Sequence, residues 1–250
     1  MYSLAEREVV VGLLTDGRSL NSISKQVGIS RAAIREWRDR GLQPKQPHST
    51  CFACQGRRPD VAADYCALLG YYLGDGCLSR MRSTLALRVS CDQSYPGIIA
   101  DVTALVQRVH GGGKACHVKA PGAIVVQNCW NHWPCLFPQH GPGRKHERTL
   151  VLEPWQRALV EQHPADFLRG LFHSDGCRVK NWATRMVARE KKRYEYPRWQ
   201  FSNNSADIMG WCQEALDLVE VPWRQSSWKV LSVSTKAGVA RLDDLIGPRT

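Results

Sequence analysis

One pattern occurs twice in this sequence, and it constrains the fold more than any other feature. Each copy is an apolar, helix-like run that ends in Asp-Gly: ADYCALLGYYLGDG covers Ala63–Gly76, and ADFLRGLFHSDG covers Ala165–Gly176. The two aspartates, Asp75 and Asp175, are 100 positions apart. An internal duplication of this size predicts two units of about 100 residues related by a pseudo-two-fold axis, the single-chain version of a symmetric dimer.

The segments after the two copies have the same order. After a first strand-like stretch with basic residues, alternating apolar residues predict strands at Thr84–Ser90 and Arg198–Ser202. Helices are predicted at Tyr95–His110 and Ala206–Val219, and two more strands complete each half. The sequence therefore predicts an α+β fold in which an α-β-β-α-β-β-α unit is duplicated.

Small residues in the two Asp-Gly helices indicate how they pack. Gly70 and Gly170 leave no side chain between the backbones, so the helices can lie side by side and bring Asp75 and Asp175 to the same end. Two adjacent carboxylates repel each other, and a hard divalent cation removes that penalty. The pair is therefore predicted to bind Mg²⁺ or Mn²⁺, and two such ions about 3.5–4 Å apart can support hydrolysis of a phosphodiester.

The motifs LLGYYLGDG and LRGLFHSDG resemble the paired motifs of the LAGLIDADG homing endonuclease family. They keep the glycine, the apolar positions and the final Asp-Gly, and they differ at the sixth position, where Leu73 and His173 replace the first acid of the motif. The resemblance implies two saddle-shaped sheets over the major groove of double-stranded DNA, with the motif helices at the centre. It also implies that Asp75 and Asp175 are catalytic residues and hold the Mg²⁺ or Mn²⁺.

The same resemblance implies a catalytic lysine near the end of the fourth strand of each half. Lys236 fits that place in the second half, whereas Asn131 or His132 stands there in the first. The segment His132–Arg148 also resembles a group of actinobacterial proteins that join an N-terminal helix-turn-helix to this fold and are often described as transcriptional regulators. Two functions stay open: a metal-dependent, site-specific DNA endonuclease, and a DNA-binding regulator that keeps the fold without cleavage.

Residues before the duplicated body are predicted to form three short helices. Ser19 and Ser30 can cap the second and third helices, and Gly28 supplies a tight turn between them, which is the helix-turn-helix order. The third helix presents basic side chains to solvent, where arginine can contact phosphates or guanine edges; these are Arg31, Arg35 and Arg38. The predicted domains are a helix-turn-helix domain over 1–42, a linker over 43–62, repeat 1 over 63–150 and repeat 2 over 151–250.

The charge of the chain agrees with a nucleic-acid partner. Its net charge is +11, which favours a polyanion. The apolar stretch around Tyr65–Leu73 is far shorter than a membrane span, and Glu6 and Glu8 are atypical of a secretory signal. We therefore expect a cytoplasmic protein without a membrane contact, associated with the nucleoid if its source is bacterial, and the internal pseudo-two-fold symmetry predicts a monomer.

Basic side chains are concentrated in the stretches after each Asp-Gly motif and in a glycine-proline loop. Such side chains can neutralise phosphates and make binding depend on salt, although a solvated loop is the simpler interpretation of any charge run. The predicted DNA contacts are Arg80, Arg82, Arg88, Arg144, Lys145, Arg178, Lys180, Arg185, Lys191, Lys192, Arg193 and Arg198.

The linker contains one CxxC motif, Cys51 and Cys54. These residues offer half of a structural Zn²⁺ site, which needs four ligands. Cys129 and Cys135, or His48, can complete the set, but the spacing does not single out either alternative. Free thiols in a reducing compartment are the alternative for this pair.

Overall fold

The computed structural model describes residues 4–40, 51–55, 57 and 60–250. The chain divides into two compact units, Met1–Ser49 and Thr50–Thr250. Most of the predicted linker over 43–62, together with His48, therefore lies outside the described residues. Within the described residues, no helix is both long and apolar enough to span a membrane.

The described part of the first unit, residues 4–40, contains three helices: α1 (Leu4–Thr15), α2 (Leu20–Val27) and α3 (Arg31–Arg40). The Ser19 side chain caps α2 by accepting a hydrogen bond from the backbone N–H of Ser22. Gly28, with a φ of 69°, ends α2 in the left-handed conformation that glycine adopts without strain. The buried core of this unit consists of Val10, Ile23, Ile29, Ile34 and Trp37.

The first half of the larger unit starts with the first motif helix. Its elements are α4 (Ala62–Leu73), β1 (Gly76–Arg80), β2 (Leu85–Asp92), α5 (Pro96–His110), β3 (Cys116–Ala120) and β4 (Ala123–Cys129). The strands form an antiparallel sheet with the order β1-β2-β4-β3. Two further helices, α6 (Trp133–Leu136) and α7 (Pro154–Gln162), precede the second half.

The second half repeats this arrangement. Its elements are α8 (Pro164–Asp175), β5 (Gly176–Val187), β6 (Glu190–Ser202), α9 (Ala206–Leu218), β7 (Arg224–Ser227), β8 (Val230–Val233) and α10 (Lys236–Ile246). The sheet order β5-β6-β8-β7 matches that of the first half, and all pairs are antiparallel. The predicted duplicated α+β fold is confirmed.

The two hairpins next to the motif helices differ in length. Strand β5 has 12 residues and β1 has five. The long hairpin turns at Ala188 and Arg189, whose φ values of 53° and 67° are those of a tight two-residue turn. The sequence predicted only the inner end of β6, because its outer end is exposed on both faces and lacks an apolar alternation.

The motif helices α4 and α8 pack against each other in the core, and their closest approach is at two glycines. A Cβ atom on Gly70 would stand 2.5 Å from the carbonyl oxygen of Phe167, and one on Gly170 would overlap the carbonyl oxygen of Ala67. Only glycine permits this separation. The predicted side-by-side packing is therefore present, and it requires both glycines.

Candidate active site

The paired helices end close together, at the two predicted carboxylates. A Cβ on Gly74, the residue before Asp75, would overlap Ser174 and would lie 3.1 Å from Asp175 Oδ2. The charges of the two carboxylates interact, since Asp75 raises the pKa of Asp175. The structure thus brings together the two residues that the repeat singled out.

Asp175 lies in a largely buried position. Burial is the main cause that raises its pKa to about 6, and the charge of Asp75 adds to the effect. Asn203 Nδ2 donates a hydrogen bond of 2.7 Å to Asp175 Oδ2, which lowers the pKa in part. The raised pKa means that the ionised form of Asp175 is less stable here than in water, so an additional positive charge would stabilise it.

Asp75 faces a different cleft. Burial raises its pKa, and the charges of Lys145 and Arg249 oppose that effect. This cleft has a volume of 220 Å³ and includes Asp75, His173 and Arg249 in its lining. Arg249 comes from the C-terminal tail and donates a hydrogen bond to the carbonyl oxygen of Gly176.

Lys145 is a half-buried cation beside the two acids. Its Nζ donates to the carbonyl oxygens of Tyr72, Leu73 (2.7 Å) and Gly74 (2.8 Å), at the negative end of the α4 dipole. Burial lowers its pKa to about 8, against the raising effect of Asp175 and Asp75. The sequence offered this lysine as one of many phosphate contacts, and no periodic signal indicated its place beside the carboxylates.

A larger cleft of 590 Å³ opens around Asp175. Cations from two parts of the chain line it: Arg144, Lys145 and Arg148 come from the glycine-proline loop, and Lys229 comes from the turn between β7 and β8. One buried acid surrounded by these cations is suited to a phosphate group that approaches with a metal ion.

Three observations test whether the site fits the divalent cation that the resemblance implies. The pKa of both carboxylates is raised. The buried Ser174 Oγ, next to Asp175, has no hydrogen-bond partner among the described residues. The donor set consists of oxygen atoms, which Mg²⁺ and Mn²⁺ prefer. Asp75 and Asp175 therefore fit such an ion.

The structure gives Lys236 a different place. Lys236 is exposed and is the first residue of α10, three residues beyond the end of β8. The cations whose charges act on Asp75 and Asp175 are Lys145 and Arg249. The catalytic role given to Lys236 rested on the resemblance alone and remains a prediction without a contact to support it.

Arg178 is held by an acid of its own chain. Its guanidinium donates to both carboxylate oxygens of Asp243, at 2.8–3.2 Å. Trp199, from the same basic stretch, is buried and donates to Asp243 Oδ1 at 2.7 Å. This acid–cation pair fastens the long hairpin to α10.

The remaining basic residues of the long hairpin divide between its two faces. Lys180, Lys191 and Arg193 share the face of Arg178, since side chains alternate along paired strands. The opposite face carries Arg185, Lys192 and Arg198, together with Cys177. In the first half, Arg88 is directly paired with Cys77 on the corresponding face, Arg80 points to the other face and Arg82 is exposed in the turn.

The arginines of α3 are exposed, as predicted. Arg31 and Arg35 lie on its surface, and Arg38 forms an ion pair of 2.9 Å with Asp39. The buried side of the same helix is formed by Ile34 and Trp37. The helix thus has the amphipathic character that recognition helices share, and its contact with DNA stays a prediction.

Cys51 and Cys54 lie beside two residues from a distant segment, His132 and Cys135. Of the two cysteines that the sequence offered together to complete the set, the structure brings Cys135 to the CxxC motif and does not bring Cys129. The sequence missed His132 as a companion of the CxxC motif, because nothing in the spacing predicts which loop approaches residue 54.

No protein-family model and no curated protein sequence matches the chain. Solved structures with a similar fold include mesophilic variants of the homing endonuclease I-DmoI, with 11% identity and a TM-score of 0.48 over 74% of this chain and 96% of that one. The LAGLIDADG meganuclease I-AabMI bound to uncleaved DNA has 11% identity and a TM-score of 0.45 over 72% and 82%. The N-terminal LAGLIDADG domain of DUF199/WhiA has 11% identity and a TM-score of 0.44 over 82% and 86%.

These structures carry the family name that the paired motifs predicted. I-DmoI has also been solved in complex with DNA and Mn, with 10% identity and a TM-score of 0.47 over 76% of this chain and the whole of that one. At such values the similarity assigns no activity and no residue role to this chain.

Proposed function

We propose that this protein binds double-stranded DNA and hydrolyses a phosphodiester bond in a reaction that needs Mg²⁺ or Mn²⁺. The observation that carries the proposal is the juxtaposition of two carboxylates, the exposed Asp75 and the largely buried Asp175, beside the half-buried Lys145 and a cleft lined with cations. Two neighbouring acids whose pKa values are raised, each in the lining of a cleft, are typical of a functional site rather than of a structural one.

Each group has a distinct task in this proposal. Asp75 and Asp175 would hold the metal, and a divalent ion bound there would supply Lewis-acid chemistry towards water and the leaving oxygen. Arg144, Arg148 and Lys229 bind the phosphate and orient it in the cleft. Lys145 keeps its proton at neutral pH, since its pKa is about 8, and its Nζ can stabilise negative charge that develops on the phosphate.

DNA binding would use both units of the chain. The outward face of the sheets carries basic side chains that can follow the phosphates, and α3 can enter a major groove. Two binding elements on one chain raise each other's effective concentration. The duplicated halves take the place of two subunits, so we infer that the protein acts as a monomer.

A second function, regulation of transcription through DNA binding without cleavage, is favoured by one observation. The cleft of Asp75 is 220 Å³, against 590 Å³ for that of Asp175, and Arg249 of the C-terminal tail stands in it. A site in which the two acids line clefts of such different size is suited to nicking one strand, or to binding alone.

The experiment starts with selection of bound sequences from randomised duplex DNA by the full chain. The selected DNA is then incubated with Mg²⁺ or Mn²⁺ and with wild type, Asp75→Asn or Asp175→Asn, and both strands are followed on a denaturing gel. The nuclease proposal expects cleavage by wild type that both substitutions abolish.

Asp244→Asn is the matched control, because it makes the same change at an exposed position of α10. This variant should cleave like wild type. Binding without cleavage by wild type in either metal, unaltered by the two site substitutions, would overturn the nuclease proposal in favour of the regulator.

A further inference from the structure

A second group of metal-ligating side chains lies outside the acidic site. Cys51 and Cys54 stand at the beginning of the larger unit, and His132 and Cys135 stand at the beginning of α6, about 80 residues later. One ligand atom from each of the four residues lies within 4.8 Å of all the others. The group therefore joins two segments that are remote in sequence.

The measured separations are close to those of a tetrahedral zinc site. Cys54 Sγ is 3.2 Å from His132 Nδ1 and 3.3 Å from Cys135 Sγ, and Cys135 Sγ is 3.9 Å from His132 Nδ1. Zinc bonds of about 2.3 Å to sulfur and about 2.0–2.1 Å to nitrogen place tetrahedral ligand atoms roughly 3.5–3.8 Å apart. Small side-chain rotations would seat an ion among the four atoms.

We propose that Cys51, Cys54, His132 and Cys135 bind one structural Zn²⁺. On binding, each of the three thiols releases a proton and ligates as a thiolate, and His132 ligates as a neutral imidazole through Nδ1. Three thiolates and one imidazole are a soft donor set that selects zinc over the Mg²⁺ or Mn²⁺ of the carboxylate site.

A disulfide between Cys54 and Cys135 accounts for less of the arrangement. Their sulfur atoms are 3.3 Å apart, whereas a disulfide bond is about 2.05 Å long. Such a bond would also not explain why Cys51 and His132 lie beside Cys54 and Cys135. Four convergent ligand atoms are the signature of a closed metal site, in which every position is occupied by protein.

The surroundings of the group indicate what the ion does. Cys51 is fully buried, and the ring of Phe52 packs edge-on against Tyr65 at 6.0 Å and against Trp155 at 6.2 Å. Next to His132, the buried Trp133 donates a hydrogen bond to Asn128. The ion would thus fasten the start of the larger unit to the rim of its core.

The same ion would fix one end of a longer segment. His132 and Cys135 begin the stretch that later contributes Arg144, Lys145 and Arg148 to the cleft of Asp175. The zinc site itself does not depend on the proposed nuclease function, since it is argued from the ligand geometry alone.

The test measures metal in the full chain purified with its thiols reduced. Elemental analysis should find about one zinc ion per chain in wild type and almost none in Cys54→Ser and Cys135→Ser. Cys129→Ser is the matched control, because it removes an exposed cysteine from the same region and leaves the four ligands intact. This control should keep its zinc.

A spectroscopic measurement covers the case in which the serine variants fail to fold. Cobalt exchanged into wild type should give the intense visible bands of a tetrahedral site and a thiolate-to-cobalt charge-transfer band. His132→Cys should retain the metal and shift those bands towards those of a four-thiolate site. Three results would overturn the proposal: wild type that takes up neither metal, serine variants that keep their zinc, or a Cys54–Cys135 disulfide in the reduced preparation.

Discussion

The two halves of the larger unit share their motif helix and their strand order, but they differ in the segments that come after the fourth strand. After β4, a segment that contains α6 and a basic loop places Lys145 beside the carboxylates. After β8, α10 and the C-terminal tail send Arg249 into the smaller cleft. The elements up to the fourth strand of each half therefore position the two acids, while the segments after that strand decide how each acid is surrounded.

The largest effect is expected where the two halves are equivalent, at the glycines of the helix pair. Gly170→Ala and Gly70→Ala should each destabilise the larger unit by roughly 3–5 kcal/mol, because the added Cβ forces two backbones apart. Urea denaturation followed by tryptophan fluorescence measures the change in the free energy of unfolding.

Gly210→Ala is the control for this prediction. Gly210 lies within α9, and no atom stands within 4 Å of the Cβ that alanine would add. This substitution should stabilise the protein by about 0.5–1 kcal/mol, the difference in helix propensity. Motif-glycine variants as stable as wild type would show that the helices can separate without cost.

The next prediction concerns the cations that distinguish the two clefts. Lys145→Met should reduce the rate of DNA cleavage about 10²- to 10³-fold, since it removes a half-buried charge beside both acids. Arg249→Met should reduce it by only about tenfold if the cleft of Asp75 is the less active one. Single-turnover cleavage of DNA labelled on each strand measures both effects.

Lys229→Met makes the same chemical change as Lys145→Met in the cleft of Asp175. Lys229 is exposed and lies over the ring of Trp228, 5.7 Å from its centre. Loss of this charge should reduce the rate of DNA cleavage by less than about tenfold. Equal losses for Lys145→Met and Arg249→Met would indicate that the two clefts are equivalent after all.

The sequence predicted the symmetric part of the molecule and missed the asymmetric part. Gly70, Gly170 and the terminal aspartates belong to a local pattern that is repeated, so their relation is a consequence of the duplication. The burial of Lys145 and the approach of His132 to Cys54 depend on how one loop folds over the core. Such contacts join residues that are far apart in the sequence and follow no repeated pattern, so the spacing of residues could not predict them.

The third prediction concerns the cost of the acid pair to stability. The pKa of Asp175 rises from 3.8 to about 6 on folding, so the folded protein holds this proton more tightly than the unfolded chain. Asp175 therefore does not affect the free energy of unfolding below about pH 4, where it is protonated in both states. It destabilises the fold increasingly as the pH rises from about 4 to 6. Without metal, Asp175→Asn should stabilise the protein by about 1–3 kcal/mol at pH 7.5 and by nothing at pH 3.5.

Thermal unfolding of Asp75→Asn and Asp175→Asn measures how much each acid contributes to stability. Asp75→Asn should stabilise less, because burial alone raises the pKa of Asp75 against the charges of Lys145 and Arg249, whereas at Asp175 the charge of Asp75 adds to burial. Added Mg²⁺ should raise the melting temperature of wild type and leave that of the variants nearly unchanged. A destabilised Asp175→Asn at pH 7.5 would mean that the carboxylate is already neutralised by Lys145 and Arg249.

The smallest effect is expected at the two hairpins, which differ in length rather than in chemistry. Lys192→Ala, on the long hairpin, should lower the slope of log affinity against log salt by about 1, the loss of one phosphate contact. Arg82→Ala, in the turn of the short hairpin, should change the slope less, because that hairpin extends less far from the core. Fluorescence anisotropy at several salt concentrations measures both slopes.

Arg157→Ala controls for the general loss of positive charge in that experiment. Arg157 is paired with Glu214 at 3.0 Å, so its charge is already balanced within the chain. Its removal should therefore leave the slope unchanged, although the net charge falls as it does in Lys192→Ala. Equal slopes for Lys192→Ala and Arg157→Ala would show that the long hairpin contributes only to the overall field of the protein. A lower slope for Lys192→Ala alone would show that the longer arm of the duplicated fold contacts the phosphates directly.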